Sequence, residues 1–293
     1  KTTLLNSPKT SHDLGAIGYQ NDLFVTYTDT SDKVHVDRLT SVGWVSHNTQ
    51  LYSPKGPALA VLNNQLYLFW NSGSSKISYA YWNSSSLSWS SQGVIPDGPN
   101  DQGDEPETDS SPFAFGFQGS MYMVHRRKGS DLGMSVGLTT SGAALSWQGD
   151  FKIKDNEGDE IKSDHGPTLV GYGSNEMYMF TCDNYCYAAK YQGNSQSDQF
   201  STPGKNSNVT DVNSVLGVAS FGDSTAIKVL AYKGKDDYLK WASGWPLSWS
   251  NPVDVWSGQK TKRAPALAYY AGQMYLFFVD TDDVIRFATL VQA

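Results

Sequence analysis

Two histidine–aspartate neighbours stand out in the chain, His12-Asp13 and, in reverse order, Asp164-His165. A carboxylate beside an imidazole can relay a proton, and two carboxylates in unequal surroundings across a cleft can cleave a glycosidic bond. Glu105 and Glu157 are the glutamates placed to join them. Asp13, Asp164, Glu105 and Glu157 are therefore the candidate catalytic set. A substrate carrying its own carboxylate would also need clustered arginines. The chain holds five, at 38, 126, 127, 263 and 286, and no triad is visible in their spacing.

A different chemistry is offered by a column of rings. Tyr27, Trp70, His125, Tyr232 and Phe278 occupy one equivalent position in a repeated phrase, with Thr181 in the remaining copy. A planar ring can stack on the C–H face of a pyranose. Asn71, Arg126, Lys233 and Asp280 stand close to these positions and could bond its hydroxyls. These nine residues form the candidate carbohydrate-binding set. Against this stands a simpler role, in which the rings only fill space between neighbouring sheets.

Metal chemistry has a weaker basis. The stretch 97–111, DGPNDQGDEPETDSS, holds six carboxylates and no cation, and 155–160 reads DNEGDE. Calcium takes several oxygens, but neither stretch has the D-x-[DN]-x-[DN]-G frame of a calcium loop. A solvated loop is the expectation, with no cofactor and no metal site. The two cysteines, Cys182 and Cys186, have no second Cys/His pair nearby to complete a zinc site. A small disulfide at a hairpin tip and two free thiols both remain open.

The elements that must hold these residues follow from internal repetition. Six related phrases begin at 14, 57, 112, 167, 215 and 265, among them LGAIGYQNDLFVTY, PALAVLNNQLYLFW and PALAYYAGQMYLFF. Periods of 43 to 55 residues mark an array or a propeller. Each unit reads as four strands. The first is short and built of small residues, such as Ala58 and Ala60; the second is apolar on both faces; the third alternates; the fourth carries a tryptophan. Small residues suit strands crowded at an axis, and large ones fill the wedge that opens outward. Trp44, Trp89, Trp147 and Trp249 then read as outer packing, Trp241 as core, and Trp82, Trp245 and Trp256 as exposed.

The sixth unit lacks a fourth strand. From Pro265, 29 residues remain, and 13 precede Leu14, together 42 and close to one repeat. The first ten residues are expected to supply the outer strand of the last unit, which hides an edge. The expected fold is all-β, one six-bladed β-propeller domain over 1–293. Its repeats fall at about 14–56, 57–111, 112–166, 167–214, 215–264, and 265–293 with 1–13.

Composition narrows the functions. A net charge of −7 with no basic stripe argues against nucleic acid. No apolar run approaches 18 residues, so no membrane-spanning helix is expected. Aromatics at 13% against 17% charged residues fit an all-β chain with many turns. A secreted or extracellular chain is expected.

The phrase G-P-A-L-A, then a polar turn, L-Y-L-F and a closing W-S resembles the repeats of sialidase-like and lectin-like β-propellers of fungi and bacteria. It also resembles the fucose-binding fungal propellers in blade count and tryptophan content. The resemblance implies a sugar-binding lectin or a sialidase, with glycans as partners. Sialidases carry S-x-D-x-G-x-x-W boxes. The residues leading to Trp89, Trp147 and Trp249 lack the aspartate each time. A multivalent lectin, secreted, agglutinating and possible as a homo-oligomer, is the first reading, because repeated weak sites gain from multivalency. A glycoside hydrolase with an axial site is the alternative, and a protein-interaction scaffold the third.

Overall fold

In the computed structural model each repeated phrase folds into one small antiparallel sheet. The structure describes residues 2–3, 8–73, 76–91, 93–96, 108–127, 129–140, 142–193, 200–220 and 228–290. The six sheets stand as blades around an axis, and no helix occurs among the described residues. Blade 1 is typical: Gly15–Tyr19, Asp22–Thr28, Lys33–Thr40 and Gly43–Tyr52 pair in chain order, from the axis outward. Blades 3 and 4 repeat this order. In blade 2 the outer position is split between Ser88–Trp89 and Gly93–Val94. Blade 5 splits it likewise, between Ser248–Trp249 and Val253–Asp254.

Blade 6 consists of Ala266–Tyr270, Gln273–Val279 and Ile285–Leu290. Thr2–Thr3 lies antiparallel to its third strand, Thr2 opposite Phe287. Nearer the loop, Lys9 bridges Val284, and the Ile285 N–H donates to the Pro8 carbonyl at 3.0 Å.

The expected gradient of side-chain size is present, and its cause is measurable. A Cβ added to Gly116 would lie 2.0 Å from the Val61 carbonyl oxygen, and one on Gly18 2.4 Å from that of Tyr269. Innermost strands of adjacent blades pass too closely for any side chain at those points. The first two strands of a blade join through tight turns. Asn63-Asn64, Gln118-Gly119 and Ala271-Gly272 have positive φ at both central positions, as type I′ hairpins require.

The apolar interior is divided between the blade interfaces. Six buried clusters lie one to each interface. The outer tryptophans reach across these boundaries. Trp147 of blade 3 meets Phe69 and Tyr79 of blade 2 edge-on, Trp44 of blade 1 meets Phe277 and Phe287 of blade 6, and Trp249 of blade 5 meets Phe180 of blade 4. Trp245 and Trp256 are exposed, as expected, at 41% and 44%. Trp82 is not: it is buried against Phe24 of blade 1, because the third strand of blade 2 faces that wedge. Cys182 and Cys186 face each other across the second hairpin of blade 4 and form a disulfide.

Candidate functional site

The loops leading into the innermost strands share one local device. A buried hydroxyl, Thr10, Ser53, Thr108 or Ser163, accepts a hydrogen bond from the backbone N–H two residues on, at 3.0–3.3 Å. Thr10, Ser53, Thr108 and Thr261 also donate to the carbonyl of that later residue. Such a hydroxyl turn fixes a short loop without regular structure. Blade 5 has Val212 at this place, buried as well.

The residue two positions beyond each is thereby aimed at the axis. These residues are His12, Lys55, Ser110, His165, Ser214 and Arg263, one per blade. All line a depression of about 300 Å³ at one end of the propeller. It adjoins an axial channel of about 530 Å³ between the innermost strands, sharing Asp13, Ser111, Val215 and Ala264 with it. The lining also includes Asp109, Arg126, Asp164, Lys233 and Lys262.

Most charges at this mouth are tied down. Arg126 donates from Nε to Asp109 at 2.8 Å and from Nη1 to the Asp164 carbonyl. Lys233 pairs with Asp237 at 2.8 Å and Lys262 with Asp283 at 2.9 Å. His12 Nε2 lies 3.2 Å from Asp32. Burial is the largest influence on His165 and lowers its pKa; Asp164 opposes this and Arg126 adds to it. Lys55 and Arg263 have no ion pair among the described residues.

Of the four carboxylates first considered for catalysis, Asp13 and Asp164 do reach the mouth. Asp13 is bonded through both oxygens: Oδ1 accepts from the Ala264 N–H at 3.1 Å and Oδ2 from the Ser111 hydroxyl at 3.2 Å. Through these two bonds it clasps three blades. Glu157 lies on a turn beside Thr202, and the mouth lining does not include it. Glu105 lies outside the described residues, as does 97–107 of the acidic loop. Among the described residues no three His, Cys, Asp or Glu side chains gather into a metal-ligand cluster.

The column of rings has a different fate. Tyr27 is 4% exposed, Trp70 1%, His125 0%, Tyr232 1% and Phe278 0%. Each sits in a wedge between blades and offers no face to solvent. Tyr27 stacks on His35, and burial, helped by Asp37, raises its phenol pKa. His125 is held neutral, its pKa pushed down to about 3 by burial and then by Arg127. Asp150 lies 3.6 Å from its Nε2, but Arg127 claims that carboxylate at 3.0 Å.

Two polar neighbours are also structural. Asn71 is buried, bonding the Thr108 carbonyl at 3.1 Å and the Gly73 N–H at 3.0 Å. Asp280 accepts from the N–H groups of Asp282 and Val284 and from Arg286 Nε at 2.6 Å, closing its own hairpin. Of the nine residues, Arg126 and Lys233 face the mouth. Tyr232 borders a second depression, of about 310 Å³, between blades 4 and 5. Around it stand Asn208, Thr210, Asp211, Lys235, Asp236 and Lys240.

The six-residue ring at the mouth was open to sequence reading. T-S-H-D-L, S-P-K-G-P, T-D-S-S-P, S-D-H-G-P and T-K-R-A-P align in five blades, each placing its variable residue two positions after a hydroxyl, and V-N-S-V-L holds the place in blade 5. The shared residue is the buried one, and the lining residue differs from copy to copy, which hides the pattern.

No protein-family model and no curated protein sequence matches the chain. Solved structures do share its fold. SapL1 lectin, solved in complex with alpha methyl fucoside, is 13% identical with a TM-score of 0.68 over 98% of this chain and 95% of that one. Aleuria aurantia lectin, a fungal six-bladed propeller with a fucose recognition mode, is 14% identical with a TM-score of 0.63 over 99% and 94%. The Hadza microbial sialidase Hz136 is 10% identical with a TM-score of 0.65, over 95% of this chain and 65% of that one. At these identities the likeness establishes the fold.

Proposed function

We propose that this propeller binds carbohydrate and carries out no covalent chemistry on it. The observation that carries the reading is its whole-length likeness to propellers that recognise fucosides. The polar depression between blades 4 and 5 supports it. Sugar hydroxyls both donate and accept, and the amide, hydroxyl, carboxylates and ammonium groups there meet both demands. The mouth is a second polar depression on the same rigid frame. Two depressions per chain would give the protein more than one point of attachment to a glycan-coated surface. The disulfide in blade 4 fits an oxidising compartment, so we place the protein outside the cytosol.

The hydrolase alternative draws on the sialidase of similar fold. Against it, Asp13 is tied into the blade junction through both oxygens and Glu157 stands apart from Asp13 and Asp164.

The test is a glycan array combined with agglutination of glycan-bearing cells at micromolar protein. Binding on the array is expected, and silence in both assays would overturn the reading. Release of product from a panel of chromogenic glycosides and sialosides would instead establish the hydrolase.

A further inference from the structure

The ring at the mouth carries information that a neutral-sugar site would not need. Its six members are two histidines, two serines, a lysine and an arginine, with no carboxylate. The whole lining contains five Lys and Arg side chains against Asp13, Asp109 and Asp164, in a chain whose net charge is −7. Two of those cations, Lys233 and Lys262, are paired with carboxylates outside the lining, so the charges counted here balance, and what the mouth offers an anion is the pair of cations at Lys55 and Arg263.

The pairing pattern sharpens this. Asp13 accepts from the Ala264 N–H and the Ser111 hydroxyl and keeps its charge, while Asp109 is paired with Arg126. Asp164 is the remaining carboxylate, exposed, with its backbone N–H bonded to Asp183. Lys233 and Lys262 are held by carboxylates outside the lining. Lys55 and Arg263 come from blades 1–2 and 5–6 and stay without an ion pair among the described residues. Lys55 is half-buried and Arg263 exposed. A guanidinium bonds a planar carboxylate through two parallel donors, and an ammonium adds a point charge beside it. The depression of about 300 Å³ is at the small end for ligand pockets, the size for one sugar residue.

We infer that the axial mouth is a separate site for an acidic sugar, whose carboxylate is taken by Arg263 and Lys55 while Ser110, His12 and His165 meet its hydroxyls. This rests on the carbohydrate-binding reading but concerns a different place from the groove between blades 4 and 5.

The test is calorimetric titration of the whole chain with sodium glucuronate, sodium sulfate and methyl glucoside, in low-salt buffer at neutral pH. Glucuronate is expected to bind in the submillimolar range and the neutral glucoside to give no heat. Lys55→Gln combined with Arg263→Gln should weaken glucuronate at least tenfold, and R263Q alone severalfold; Arg263 is exposed, so that variant keeps the fold. Lys162→Gln, a change at an exposed lysine outside the mouth, should alter nothing. Unchanged affinity in the double variant, or no glucuronate binding to the parent, overturns the inference. Sulfate binding as tightly as glucuronate overturns the sugar assignment in favour of a plain anion site. Methyl fucoside is titrated in parallel: heat from it that survives the double variant keeps the general reading alive even if the acidic-sugar site fails.

Discussion

Two features of this molecule recur once per blade, and they behave in opposite ways. At the ends of the second strands the residue type recurs, as rings at Tyr27, Trp70, Tyr232 and Phe278, and the position is sealed between blades. At the mouth the position recurs while the type changes, from His12 to Lys55, Ser110, His165, Ser214 and Arg263. Every blade interface poses nearly the same packing problem, and a buried ring solves it in five of the six blades, with Thr181 in the other. A ligand on the axis touches six blades at once and asks something different of each. In such a repeat, constancy of type marks the structural column, and variation at a constant place is what the proposed axial site would require.

The largest effect that could break this contrast lies in the sealed column. Trp70→Ala should cost about 3–5 kcal/mol of stability, because it empties a filled wedge between blades 1 and 2. Chemical denaturation would show it, and a loss below about 1 kcal/mol would return Trp70 to the list of sugar platforms.

His125 gives the next effect, with a sign fixed by its depressed pKa. The folded chain holds it neutral down to a pKa of about 3, whereas an unfolded chain takes up the proton near 6.5. Stability is therefore full above pH 6.5 and falls as the pH drops toward 3, by about 3 kcal/mol at pH 4 from this residue alone. Denaturation of the parent and of His125→Leu across pH 4–7 should show a shallower slope in the variant; equal slopes would show the imidazole to be solvated.

The mouth should respond to a smaller change. Ser163→Ala removes the hydroxyl that bonds the N–H groups of His165 and Cys182 and the Cys182 carbonyl, and should cost about 1–2 kcal/mol. If the ring is held as described, this variant also loosens ligand binding at the mouth, whereas W70A leaves the binding of its folded fraction intact. Smallest is Ala271→Gly, which relieves a left-handed alanine (φ 48°) and should change stability by less than about 1 kcal/mol, upward.

The two columns also explain what could be read from the chain. The blades were legible because periodicity and side-chain size are written locally: Ala58 and Ala60 at the axis, Trp147 at the rim, a polar pair at the turn. The rings were legible as a column but not as buried, since whether Trp70 faces solvent depends on the neighbouring blade. Asp280 and Asn71 look like hydroxyl-binding residues. Only the fold shows Asp280 closing its own hairpin and Asn71 tied to the loop before blade 3. The mouth was half legible. The His12-Asp13 and Asp164-His165 neighbours do come together at the mouth, where the carboxylate of Asp13 serves as a clasp between blades.

That clasp has a consequence for how the molecule comes into being. The Ala264 N–H that Asp13 accepts is 251 residues away along the chain, and the Tyr270 hydroxyl reaches back 249 residues to the Asn21 carbonyl. The other five blade interfaces join segments one repeat apart, so their loop-closure entropy is modest; the interface between blades 1 and 6 must overcome that of nearly the whole chain. It should be the slow event of assembly, and the mouth has its full wall only once that event is over. A nascent or partly unfolded chain would thus be blind to any axial ligand, and ligand bound there would act as a latch on the finished ring.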